Sequence, residues 1–214
     1  MSDAAGVARA VRAALGCLAR EPEGALAARF TAPLVTAIVA ESTNDEWLVP
    51  ALERVGVPRG RQFVLLGQDG GANASRVRAH AARLRDALSL AAFAHDPAGV
   101  VYTAGRAADG TPIELDDELR EAEAMICIGR GFAAAGRVLG GPYLLAPGVA
   151  SGRTRRAFEQ ARSRAGERAA LALALEAESL APVDLAVCHD DRGHVVAGRG
   201  RERFAALARE AGLD

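Results

Sequence analysis

Lysine is missing from this 214-residue sequence, and its 26 basic residues are all arginine. A coding bias toward alanine and arginine accounts for that by itself. Cysteine is scarce and odd in number: Cys17, Cys127 and Cys188 lie too far apart for a disulfide framework or a C-x-x-C metal knuckle. That usage predicts a protein of the reducing cytoplasm. Long apolar runs are lacking too, since none approaches the ~20 residues a membrane span requires, so a soluble chain is expected. Nor is either charge in excess. With 25% charged residues and a formal net charge of -1, the chain has no basic surplus of the kind a nucleic-acid binder carries. Any anion site must therefore be local.

What is present fits a single domain over 1–214, large enough to bury a core without disulfides or metals. Val7, Val11, Leu15 and Leu18 stand near helical spacing and predict an amphipathic helix over 5–20. Pro33 precedes a β-branched strand at 34–40, the polar loop Glu41-Ser42-Thr43-Asn44-Asp45, and a helix carrying Trp47, Leu48 and Leu52. The unit repeats as a strand at 62–66, a turn at 67–71 and a helix at about 74–88. Short strands are expected at 90–94, 100–103 and 125–128, with a short helix at 116–122 between the last two. Two helices, about 152–164 and 167–179, lead to a hairpin around Asp190-Asp191-Arg192-Gly193 and a last helix at 200–211 that stops at Gly212. The alternation predicts an α/β fold: a mostly parallel sheet with helices on both faces, closed by a C-terminal β-hairpin and helix.

The segment from Glu123 to Thr154 concentrates the chemistry. No Asp or Glu follows Glu123 until Glu159, while Arg130, Arg137, Arg153, Arg155 and Arg156 all fall in that interval. Glycine-rich turns beside arginines suit an anion. In a parallel sheet the ligand lies beyond the carboxyl ends of the strands, which selects the loops 41–45, 67–73, 95–99 and 129–142. Thr43, Asn44, Gly129, Gly131, Gly140, Gly141, Arg153 and Thr154 are the candidate cofactor- or anion-binding residues. Gly129-Arg130-Gly131-Phe132-Ala133-Ala134 also matches the Ala-ended dinucleotide fingerprint, although no acidic residue near position 150 is there to hold a ribose. His95, at a strand end beside Asp96, is the candidate acid/base, against the plainer reading of an Asx turn before Pro97 with a solvated imidazole. Cys188, His189, Asp190, Asp191 and His194 resemble a ligand cluster, but ordinary hairpin chemistry accounts for them, and no metal is assigned.

In order along the chain, His95-Asp96, Gly110-Thr111-Pro112-Ile113-Glu114, Glu121-Ala122-Glu123-Ala124, Ala135-Gly136, Gly140-Gly141 and Pro147-Gly148-Val149-Ala150 with Thr154 resemble the N-terminal domain of the nickel-pincer lactate racemase family. The similarity is clearest over 31–165, and the chain spans roughly one half of a family enzyme. The resemblance implies an isomerase, a 2-hydroxy acid racemase or epimerase whose nickel pincer nucleotide is tethered to a lysine and whose two histidines act as acid and base between two domains. His95 takes the place of the first histidine. Phe132 stands where the second is expected, Tyr143 where the tethering lysine is, Glu159 where a nickel-binding histidine is, and Asn44 where an arginine is.

A carboxylate can ligate nickel, though imidazole suits it better, but tyrosine cannot replace the tethering amine. No cofactor is therefore assigned. The leading expectation is a racemase-like domain with a degenerate active site, a pseudoenzyme candidate that binds a small anionic ligand or acts with a second chain supplying the missing domain. An active variant using His95, a noncatalytic interaction subunit and a dinucleotide-binding protein are the alternatives.

Overall fold

The computed structural model describes residues 35–41, 62–67, 74–134, 136–190, 192 and 194–213. In chain order they form β1 (Thr36–Glu41), β2 (Gln62–Gly67), α1 (Ala74–Leu88), β3 (Ala91–Ala94), β4 (Val101–Arg106) and β5 (Pro112–Asp116). These are followed by β6 (Ala124–Ala134), β7 (Arg137–Gly140), α2 (Gly152–Leu180), β8 (Leu185–His189), β9 (Val195–Gly198) and α3 (Gly200–Glu210). Single 3-10 turns occupy Asp117–Glu121 and Gly141–Leu144.

The main sheet runs β3-β2-β1-β6-β8-β9, parallel throughout except that β9 returns antiparallel to β8; β7 folds back antiparallel on the far half of β6. The fold is α/β, a mostly parallel mixed sheet ending in a C-terminal hairpin and helix. Because both faces of the inner strands are covered, those strands read as continuous apolar runs rather than alternating ones. Ala37, Val39, Leu65 and Cys127 face one core, shared with Leu171 and Ala174 of α2 and Phe204 and Leu207 of α3. Ile38, Ala40, Val64, Leu66, Ile126 and Ile128 face the other, against Val77, Ala81 and Leu84 of α1. Those three stand three or four residues apart, and the arginines at 76, 78, 83 and 85 are left exposed on α1's outer side.

Ser151 caps α2 by accepting a hydrogen bond from the Thr154 amide at 3.1 Å. Gly166, at φ 80° and ψ −171°, breaks the helix where two separate helices are expected from sequence. The β4–β5 hairpin lies off the main sheet against α2, where a β-carbon on Gly105 would come within 2.6 Å of Leu180.

The short helix expected at 116–122 is present as a 3-10 helix over Asp117–Glu121, capped by Asp116. Two expectations need correction. β5 is a strand that the sequence did not reveal. The loop expected at 129–142 is a hairpin, because β6 continues to Ala134 before the chain turns at Gly136 into β7. Gly129 and Gly131 are thus ladder residues, paired with Cys188 and Gly140. A β-carbon at Gly131 would come within 2.5 Å of the Cys188 sulfur, so glycine serves packing there rather than a turn. The helix expected over 5–20, the loop with Thr43 and Asn44, and the helix with Trp47 lie outside the described residues, as does most of the 67–73 turn.

Candidate functional site

The chain runs outward from β1 to β2 and β3, then returns to place β6 on the other side of β1. Strand order therefore reverses at β1, and the carboxyl ends around such a switch point leave a crevice. A pocket of about 320 Å³ opens there, reaching from Gly67 at the end of β2 to Arg130 on β6. The β6–β7 hairpin, the 3-10 turn after it, and the first half of α2 form its walls. Val138, Leu144, Pro147 and Phe158 supply apolar surface, and among the described residues four arginines, Arg130, Arg137, Arg155 and Arg162, face it with two carboxylates, Glu159 and Glu167.

These charges are not equally committed. Arg155 donates from Nε to the Ala150 carbonyl at 3.1 Å and from Nη2 to the Gly148 carbonyl at 2.7 Å, which pins the wall formed by Pro147-Gly148-Val149-Ala150. Burial pulls its guanidinium below its ordinary value, while nearby Glu159 pulls the other way. Tyr143 stands on the 3-10 turn with its ring edge-on to Phe158. Its hydroxyl donates to Glu167 Oε1 at 2.8 Å, and the Arg162 guanidinium lies 5.2 Å from its ring centroid. Arg162 Nε meets Glu167 Oε2 at 3.0 Å. Burial first, and the Glu167 hydrogen bond second, push the phenol far above its ordinary range. It is a neutral donor at any physiological pH.

The sequence-derived candidates divide around this pocket. Gly140, Tyr143 and Glu159 line it, whereas Phe132, half-buried in β6, does not. Gly140 has φ 65° and a β-carbon there would strike the Arg130 carbonyl, while one on Gly141 would come within 2.8 Å of Leu207. Both glycines answer to close packing. The dinucleotide fingerprint does not have its required setting, since its residues continue a strand into a hairpin instead of opening a helix.

His95 is not solvated, contrary to the plainer expectation. It is 1% exposed, hydrogen-bonds to Asp116 Oδ2 at 2.6 Å through Nδ1, and donates from Nε2 to the Ala150 carbonyl at 2.9 Å. With both ring nitrogens engaged and the ring outside the pocket, it ties the end of β3 to β5 and to the segment before α2. Asp96 does make the expected Asx turn, accepting from the Ala98 amide at 3.0 Å.

Arg153 and Thr154 likewise serve the chain itself. Glu114 of β5 takes the Ser151 hydroxyl at 2.7 Å and lies 3.6 Å from Arg153, so the anion beside the start of α2 is a side chain of this protein. Thr154 is fully buried; its hydroxyl accepts from the Glu114 amide and donates to the Pro112 carbonyl. Asp190 accepts from the amides of Arg192 and His194 and from His194 Nδ1. Desolvation raises its carboxyl, but those hydrogen bonds together with the His194 charge outweigh it and hold the group below its ordinary value. Among the described residues no group of three His, Cys, Asp or Glu is placed to hold a metal ion. Sequence reading missed Arg162 and Glu167, whose meeting depends on the break at Gly166.

No protein-family model matches this sequence, and no curated protein matches it at a significant level. The structure is similar to that of the lactate racemase apoprotein from Thermoanaerobacterium thermosaccharolyticum, with a TM-score of 0.63 and 15% sequence identity. The match covers 83% of this chain and 48% of the racemase, so the chain spans about half the length of that neighbour. At that identity the likeness is one of fold. No helix among the described residues is long and apolar enough to cross a membrane.

Proposed function

We propose that this chain is a lactate racemase-like domain that binds a small anion noncovalently in the arginine-lined pocket and does not carry a tethered nickel pincer nucleotide. The observation that carries this reading is the pocket itself: four arginines against two glutamates among the described residues, at the strand-order reversal of a racemase-like fold, with Tyr143 where the resemblance expects the tethering lysine.

The residues present do not fit the pincer nucleotide. No lysine exists in these 214 residues. Tyr143 offers a phenol that is bonded to Glu167 and resists ionisation, and Glu159 offers a carboxylate where an imidazole is expected. An acid/base role for His95 finds no support in its geometry, since both ring nitrogens already have partners and the residue does not line the pocket.

Two measurements test the reading. Intact mass after co-expression with pincer-maturation enzymes is expected to equal that of the polypeptide, and a covalent nucleotide adduct would refute the proposal. Calorimetric titration with inorganic phosphate is expected to show binding that weakens about tenfold in Arg137→Ala, the loss of one charge-assisted contact. Equal affinity in both proteins would place the anion elsewhere.

A further inference from the structure

Resting on the anion-pocket reading, we propose that Arg162 and Tyr143 form a carboxylate-binding pair which Glu167 of this same chain occupies, and that a ligand carboxylate enters by taking the place of Glu167. Both oxygens of Glu167 are held: Oε2 by Arg162 Nε at 3.0 Å, and Oε1 by the Tyr143 hydroxyl at 2.8 Å and, more weakly, by Arg162 Nη2 at 3.4 Å. That is how a protein recognises a carboxylate, with a guanidinium side-on to both oxygens and a neutral donor completing one of them.

The two donors are fixed relative to each other without Glu167. The guanidinium rests over the Tyr143 ring at 5.2 Å, and the ring packs edge-on against buried Phe158. Both belong to the pocket wall built before the break in α2, whereas Glu167 arrives from beyond it. Gly166, between them, has φ +80°, and a β-carbon there would meet nothing within 4 Å. The joint therefore has open space around it, and residues 159–166 are exposed apart from Ala161. Below Glu167 the helix is anchored by Ala170, Leu171 and Ala174, so displacement is confined to the elbow.

The exchange makes and breaks only hydrogen bonds and an ion pair. An intramolecular carboxylate competes at the effective concentration its attachment gives it, so the wild-type protein binds an external carboxylate weakly. Removing the charge of Glu167 frees the site.

Titration calorimetry of the full chain with L-lactate tests this, with neutral methyl lactate as control. Glu167→Gln is expected to bind lactate about tenfold tighter than wild type, and adding Arg162→Gln to it is expected to abolish the gain. Glu167→Asp, which shortens the competing side chain and keeps its charge, is expected to lie between, and it carries the test if Glu167→Gln does not fold. Glu159→Gln removes the same charge from the same pocket without touching the pair and is expected to tighten binding by less than about threefold. No gain in Glu167→Gln, an equal gain in Glu159→Gln, or equal binding of methyl lactate would each overturn the exchange. If phosphate still binds wild type through Arg137, the pocket reading survives that failure. If neither phosphate nor lactate binds any variant, both fall.

Discussion

Gly140 and Gly136 sit on the same hairpin with φ of 65° and 76°, but their surroundings differ. At Gly136 a β-carbon would meet nothing within 4 Å, so Gly136→Ala costs only the backbone term, about 1–2 kcal/mol. At Gly140 it would run into the Arg130 carbonyl, and ψ of −135° leaves the residue in a region essentially reserved for glycine. Gly140→Ala is expected to cost more than about 3 kcal/mol and, because Gly140 lines the pocket, to weaken phosphate binding as well. Urea unfolding of the two variants checks the ranking; a similar loss in both would mean the hairpin shifts to admit the methyl. A run of glycines in sequence does not say which one is needed, because the obstructing atom belongs to the opposite strand.

Among the elements, α2 carries a buried acid on its anchored half. Glu178 is 3% exposed and accepts from the Val183 amide at 3.3 Å; burial raises its carboxyl above the ordinary 4.5, with that hydrogen bond and Arg201 pulling back. A folded-state value above the unfolded one means that its contribution to stability is fully present below pH 4.5 and is lost as pH rises through the folded value. Glu178→Gln should therefore gain stability relative to wild type between pH 4 and pH 7, read by urea unfolding at each; a difference that does not change with pH would overturn the assignment. Elements of this kind were legible when their signals were local. The 3.6-residue period of α1, the break at Gly166 and the turn chemistry of Asp190 all sit within a few residues of the structure they specify. β6 was legible only to Ile128, because Gly131 reads as a breaker until Cys188 of the neighbouring strand is seen to fill the space it leaves. Arg130, Arg137 and Arg155 of the pocket stand in the interval that the sequence marks by its lack of carboxylates, whereas Arg162 does not, and the commitments of the site were not legible at all: Glu114 reaches Arg153 from 39 positions away, and Glu167 reaches Tyr143 from 24.

At the scale of the whole molecule, Cys127 and Cys188 report on how the sheet opens. They lie on the paired strands β6 and β8, are 0% and 1% exposed, and face the core shared with α2 and α3. Burial pushes the Cys188 thiol up to about 12 and Cys127 well above its ordinary value. Both are thus neutral and inert at pH 8, since the thiolate is the nucleophile. In a Cys17→Ser background, iodoacetamide at pH 8 is expected to leave the native protein unlabelled on the timescale that modifies two thiols in urea. Residual native labelling should track global unfolding and slow as stability rises. The linkage runs the other way from that of a salt-bridged acid. These raised thiols contribute stability that is fully present below the unfolded value of 9.0 and lost as pH rises toward the folded values, so resistance to urea should decline above pH 9. Labelling of one thiol at a rate indifferent to stability would instead mean that β6 and β8 separate locally. The pocket between the β6–β7 hairpin and α2 would then rest on a part of the sheet that opens by itself, and ligand binding would be expected to suppress that labelling in proportion to occupancy.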